Sequence, residues 1–288
     1  VIDFISDDNN QVMFSSNRKM NYVPTKKFAL KVDKEKVLKA GFIPEEMRDK
    51  IVDEIQWEMD KAYIMKNDMM IMDLLANFNW DRPIYFAITT GGDAYIGLER
   101  YFQLDGLAYR LVPYIANSPD GQTGYVNTDV IADKLLNVFQ YGGMEQPDVY
   151  MDENNRRMCM NLRNNFARTA DALMREGKKE KAKQVLDKCI EVMPPGNVPY
   201  NYFMLPVAES YYRLGEIDKA NEIVTEVLDR YEKEMHYYVD LPGYKYKQAG
   251  QNPQQSVSVI YRVMELVSRK FPQEELGERA KESFNRFQ

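Results

Sequence analysis

A helix-turn-helix pattern occurs twice in the second half of the chain and limits the fold more than any other feature. Gly177-Lys178-Lys179-Glu180-Lys181-Ala182 is echoed by Gly215-Glu216-Ile217-Asp218-Lys219-Ala220, so the period from Gly177 to Gly215 is 38 residues. A repeat of that length is one helical hairpin. A single hairpin cannot bury its apolar face, so such units stack on one another, and arrays of them usually hold another molecule on their inner surface.

The apolar positions fit the same frame. The first unit supplies Ala170, Leu173, Gly177, Ala182, Leu186, Cys189 and Pro194, and the second supplies Ala208, Tyr211, Gly215, Ala220, Val224 and Val227. Small residues at Ala170/Ala182 and Ala208/Ala220 let the paired helices approach closely, where a large side chain costs about 1–3 kcal/mol of overpacking. Gly177 and Gly215 end each first helix in the left-handed conformation that glycine adopts without strain. The pattern is tetratricopeptide-like, with a repeat near the usual length of about 34 residues. It departs from that template at Phe166 and Met204, which stand at the tryptophan position. Pro206 should kink the second unit's first helix or mark its first turn. Glu232 stands where proline is expected.

In such repeats the inner surface comes from one face of each first helix. Here that face carries Asn164, Arg168, Asp171 and Arg175 in one unit and Tyr202, Glu209, Tyr212 and Arg213 in the other. Arginine forks and asparagine amides suit carboxylates, and tyrosines suit peptide or sugar faces. Asn164, Arg168, Arg175, Tyr202, Tyr212 and Arg213 are therefore the candidate ligand-binding residues. An ordinary solvated helix face laced with ion pairs would carry the same residue types.

Upstream the signals change. Gln11–Ser15 and Lys27–Val32 read as strands, Lys34–Lys39 as a short helix stopped by Gly41, and Ile51–Met59 fits either period. A helix capped by Asn67 or Asp68 follows. Pro83–Ile88 reads as a strand apolar enough for burial on both faces. Tyr95–Gln103 reads as a helix, Leu107–Tyr114 as a strand, 117–127 as a loop and Thr128–Gln140 as a helix. After Glu153 only helical periodicity remains. Asp240–Asn252 reads as a loop, and two more helices, Gln254–Phe271 and Glu274–Phe287, suit a third, capping pair. The expected class is α+β: a small α/β unit over 1–147, then an all-α helical-repeat domain over 148–288.

Chemistry-bearing constellations are sparse. The one histidine, His236, falls at the end of a predicted helix, which removes histidine metal clusters and leaves little scope for a serine or cysteine triad. Gly91-Gly92-Asp93-Ala94-Tyr95-Ile96-Gly97 lacks the Gly-Lys-Ser/Thr ending of a phosphate loop and the Rossmann spacing, and reads as a strand-to-helix turn. Pairs such as Asp7/Asp8 or Asp152/Glu153 would suit glycoside chemistry only if a fold set them around a sugar. The 20 tyrosines read chiefly as half-buried core, with stacking on sugars as the other use. Cys159 and Cys189 read as reduced core residues. No catalytic residue, cofactor or metal is expected.

Lys plus Arg number 38 against 44 Asp plus Glu, a net charge of −6, which argues against nucleic acid as a partner. No apolar stretch approaches the roughly 20 residues that cross a bilayer, and no signal peptide is evident. Because the chain opens on Val1 rather than Met, an upstream membrane anchor is compatible with it.

Several blocks also carry a family resemblance: Asn21-Tyr22-Val23-Pro24-Thr25-Lys26-Lys27-Phe28, Asn79-Trp80-Asp81-Arg82-Pro83-Ile84-Tyr85-Phe86-Ala87, Tyr101 through Pro113, Asn154-Asn155-Arg156-Arg157 with Arg163 through Arg168, and Pro199 through Pro206. Together they resemble the soluble C-terminal region of a family of large multi-spanning bacterial membrane proteins, known mainly as a domain of unknown function. The membrane part of that family is similar to GT-C glycosyltransferases of the protein O-mannosyltransferase type. The resemblance implies a periplasmic tail of a Gram-negative inner-membrane protein. It transfers no catalytic residue, because GT-C enzymes carry theirs between membrane helices. The expected function is a non-catalytic module that recognises or presents an acceptor. Its partner would be a protein or peptide, with a glycan as a further class. A protein-protein adaptor without a glycan role and a carbohydrate-active enzyme using paired carboxylates stand as alternatives.

Overall fold

The computed structural model describes all residues, Val1–Gln288, as two compact units, Val1–Asn127 and Thr128–Gln288. The class is α+β, with all strands in the first unit and long helices filling the second. The expected boundary at 147 lies inside the second unit, because the helix at Thr128–Asp133 packs with the helical part.

In the first unit α1 (Ile2–Ser6) leads into a hairpin of β1 (Val12–Ser15) and β2 (Arg18–Met20). β3 (Lys27–Lys31) is followed by α2 (Lys34–Ala40). Asp33 caps α2 by accepting the Lys36 amide at 3.1 Å, and Gly41 closes it at φ 72°. The ambiguous 51–59 segment is a strand: β4 (Glu54–Glu58) pairs antiparallel with β3, setting Phe28 opposite Trp57 and Leu30 opposite Ile55. The alternation decides the outcome, since Ile55 is buried while Gln56 is exposed.

α3 (Lys66–Ala76) starts one residue before the expected cap. Met65 is the N-cap, and the buried Asp68 accepts the Met65 amide at 2.9 Å and the Lys61 ammonium at 2.6 Å. β5 (Tyr85–Ala87), β6 (Phe102–Leu104), β7 (Ala108–Leu111) and β8 (Tyr125–Val126) form a sheet in the order β5-β7-β6-β8. β5 is thus an edge strand, and only Phe86 is buried. This corrects the reading of burial on both faces. β8, inside the expected 117–127 loop, pairs parallel with β6.

The expected helix at Tyr95–Gln103 is absent. The chain instead makes two short 3-10 turns, Gly92–Tyr95 and Glu99–Tyr101, and then enters β6. Ile96 (φ 51°) and Gly97 (φ 92°) break the helical path. Gly97 passes so close to β4 that a Cβ there would fall 2.1 Å from the Glu58 carbonyl oxygen. The freed aromatics become core. Phe102 stacks on Tyr109 at 5.6 Å, and Tyr95 meets both rings edge-on.

The second unit opens with α4 (Thr128–Asp133), which widens into a π turn over Lys134–Val138. Next come α5 (Glu153–Arg175), α6 (Lys179–Val192), α7 (Met204–Leu214) and α8 (Ile217–Val239). α9 (Gly243–Gln248) is a short helix within the expected 240–252 loop. α10 (Asn252–Glu265), continued by a π turn to Lys270, and α11 (Glu274–Phe287) complete the chain. α5 packs on α6, α7 on α8 and α10 on α11. Ala170, Ala182, Ala208 and Ala220 are fully buried between partners.

Both hairpin turns close identically. The Lys178 amide reaches back to the Leu173 carbonyl (2.9 Å) and the Glu216 amide to that of Tyr211 (3.0 Å), around Gly177 (φ 77°) and Gly215 (φ 82°). Pro206 occupies the first turn of α7, where a missing amide hydrogen costs little. Where the first unit has Pro194 just past α6, the second has Glu232, and α8 runs on. Glu232 there accepts from Arg279 (2.5 Å) and Ser283 of α11. No helix is long and apolar enough to cross a membrane.

Candidate functional site

The second unit's first-helix face is held by a row of ions. On α5, Asp171 pairs with Arg175 one turn away and reaches Arg213 of α7 at 2.8 Å. Arg213 also pairs with Glu209, and Glu209 accepts from Lys270 beyond α10 at 2.6 Å. The row therefore runs from α5 through α7 to the end of α10. Beside it lies a groove of about 370 Å³ with an apolar floor of Leu205, Pro206 and Leu266 and polar walls including Glu209, Arg262 and Lys270.

The six candidate residues do not form one site. Arg175 and Arg213 are exposed and meet through Asp171. Asn164 is half-buried and Arg168 buried within α5, and both carry interactions. Tyr202 lies in the turn ahead of α7 rather than on it, with its ring 4.5 Å from Phe203. Tyr212 faces inward: it is buried, stacks on Phe271 at 5.0 Å and donates to Asn221 at 2.5 Å. Burial pushes its phenol up to about 12. Sequence reasoning missed Arg262, Leu266 and Lys270, because α10 shows no glycine-marked echo of the first two units. It also missed the cavity of about 550 Å³ between α6 and α8, which is walled by carboxylates such as Glu191 and Glu226.

Two buried arginines escaped the sequence as well. Arg163 is fully buried in α5. Its guanidinium donates to the carbonyls of Met193 (3.0 Å), Pro199 (2.9 Å) and Val198 and lies over the Tyr200 ring at 5.1 Å. Burial lowers its pKa from the ordinary arginine value. It ties the 193–199 connection to α5. In the first unit Arg110 donates to Asp105 at 2.5 Å, to the Tyr85 hydroxyl at 2.7 Å and to the Phe42 carbonyl at 3.2 Å. Burial raises the Tyr85 phenol, against the opposing pull of Arg110.

The carboxylates and thiols singled out in the sequence have structural surroundings. Asp152 caps α5 through the Asn155 amide (2.8 Å), and Asp7 accepts the Asn9 amide (2.9 Å). Cys159 and Cys189 are free, buried thiols, and burial pushes Cys189 up to about 12. His236 is exposed in the last turn of α8, edge-on to Phe287 at 5.1 Å. No group of three or more His, Cys, Asp or Glu side chains is placed to hold a metal ion.

Residues 1–130 match the family described as TMEM260-associated domain 2. The match takes in the whole first unit and fits a TMEM260-like family. No curated protein and no solved structure matches the chain.

Proposed function

We propose that the chain is a non-catalytic, periplasmic module of a glycosyltransferase-like membrane protein, and that its helical unit recognises or presents an acceptor. Two lines support this reading. The match over residues 1–130 concerns a domain associated with a TMEM260-like family. The helical hairpins repeat the same glycine-closed turn, small-residue contacts and ion-linked face in the manner of tetratricopeptide repeats.

The observation that carries the proposal is the groove between α7 and α10. It combines an apolar floor with arginine, lysine and glutamate at its walls, a lining suited to a peptide or a glycan-bearing segment. A plain protein-protein adaptor is the second reading, favoured by the charged row beside the groove, which suits a polar interface rim. Binding measured on a glycan array and on envelope-protein extract, each with wild type and Arg262→Glu/Lys270→Glu, separates the two. Glycan binding lost in the variant supports acceptor recognition. Protein binding alone, lost in the variant, supports the adaptor. Binding of either kind that is indifferent to the variant removes the groove from the account.

A further inference from the structure

The β1–β2 hairpin has no role in that reading, and its surface is unusual for a water-facing ribbon. All four residues of β1 are exposed. Val12, Met13 and Phe14 retain 46%, 59% and 58% of their accessible surface, and β1 has β2 as its only strand neighbour. Successive side chains point to opposite faces of a strand, so Val12 and Met13 lie on opposite faces, while Phe14 sits at a bulge between Met13 and Ser15 where the pairing register shifts. β1 therefore shows apolar side chains on both faces, and its residues are exposed.

Charge is equally one-sided. From Asn9 to Val32 there is no Asp or Glu, while Arg18, Lys19, Lys26, Lys27 and Lys31 fall in that stretch of a chain whose net charge is −6. Lys19 stands opposite Met13 and Arg18 opposite Ser15 in the hairpin register. Lys26 is engaged by Asp60 at 2.5 Å, and Lys27 and Lys31 stand opposite Glu58 and Glu54 of β4, so the hairpin's own cations are Arg18 and Lys19. The preceding acids are used locally, Asp7 on Asn9 and Asp8 on Gln11. The base of the hairpin is fixed: Gln11 donates to Asn21 at 3.0 Å, Asn21 donates to the Ile5 carbonyl, and Tyr22 meets Phe4 edge-on at 5.3 Å. Tyr22 remains 42% exposed.

We propose that the β1–β2 hairpin docks the first unit onto an anionic lipid surface, with Val12, Met13 and Phe14 entering the headgroup boundary and Arg18 and Lys19 pairing with lipid phosphates. A protein groove would cover one face of the ribbon, whereas a lipid boundary surrounds both. Cationic side chains beside inserted apolar ones, with a tyrosine at the level of the headgroups, are the combination that an interfacial anchor needs. The inference is independent of the groove in the helical unit.

Co-sedimentation of the 288-residue chain with vesicles of phosphatidylcholine alone, or of phosphatidylcholine mixed with phosphatidylglycerol, tests it. Wild type should sediment with the mixed vesicles and be released by salt. Met13→Ser/Phe14→Ser should weaken binding about tenfold or more, and Arg18→Glu/Lys19→Glu should erase the preference for the anionic vesicles. Unchanged melting curves identify the variants as folded, since all four side chains are exposed. Wild type left in the supernatant with mixed vesicles overturns the proposal, as does a Met13→Ser/Phe14→Ser variant that binds undiminished. Self-association through Phe14 without vesicle binding also overturns it, in favour of a contact between copies.

Discussion

Arg163 shows how much a single residue can hold in this fold. Its buried guanidinium closes three carbonyls that would otherwise be left unsatisfied, at about 1–3 kcal/mol each. Arg163→Met, with similar apolar volume and no donors, should therefore lower unfolding free energy by about 3 kcal/mol or more, measured by urea denaturation. Lysine should rescue it only in part, lacking the planar fork. Exposed partners behave differently. Arg213→Ala removes ion pairs with Asp171 and Glu209 but should cost less than about 1 kcal/mol, because solvent screens them. Two glycines make a similar contrast. Both have positive φ, but a Cβ on Gly41 meets open space while one on Gly97 meets the Glu58 carbonyl at 2.1 Å. Gly41→Ala should cost about 1 kcal/mol and Gly97→Ala clearly more, since β4 must shift; paired thermal melts read the difference.

Among the elements, the joint of α6, α7 and α8 centres on Asp187. It accepts Tyr211 at 2.7 Å and Lys219 at 2.6 Å. Burial works against its charge, yet the hydrogen bonds from Lys219 and Tyr211 hold its carboxyl below the ordinary 3.8. A carboxyl lowered on folding contributes stability that is fully present above its ordinary range and is lost as pH falls through the folded value. Wild type should thus lose stability below about pH 4. Asp187→Asn should be less stable at neutral pH and flatter across that acid window, followed by melting temperature against pH. The hairpins themselves were legible because glycine and alanine mark their turns and contacts in the chain. Segment 51–59 was not, since both periods fit Ile55 and Met59 until β3 supplied a pairing partner. The missing helix at Tyr95–Gln103 reflects tertiary override: the close approach of Gly97 to β4 and the aromatic cluster outweigh local periodicity. The candidate site was least legible. Helical spacing placed Tyr212 outward, while Phe271, distant in sequence, draws it inward.

At the level of the whole molecule, the chain joins two units with different surfaces. The first carries an exposed, cation-flanked hairpin, and the second a groove beside a row of ion pairs. The central claim is that the helical unit grips a partner between α7 and α10. A photoreactive residue placed at Arg262 in the groove, with one at the exposed Glu180 on α6 as control, tests it most directly in envelope extract. The account predicts a discrete adduct at position 262, absent at 180 and lost when Glu209→Lys/Lys270→Glu exchanges the charges of that ion pair. Equal labelling at both positions, or an adduct at 262 that survives the charge exchange, would contradict it.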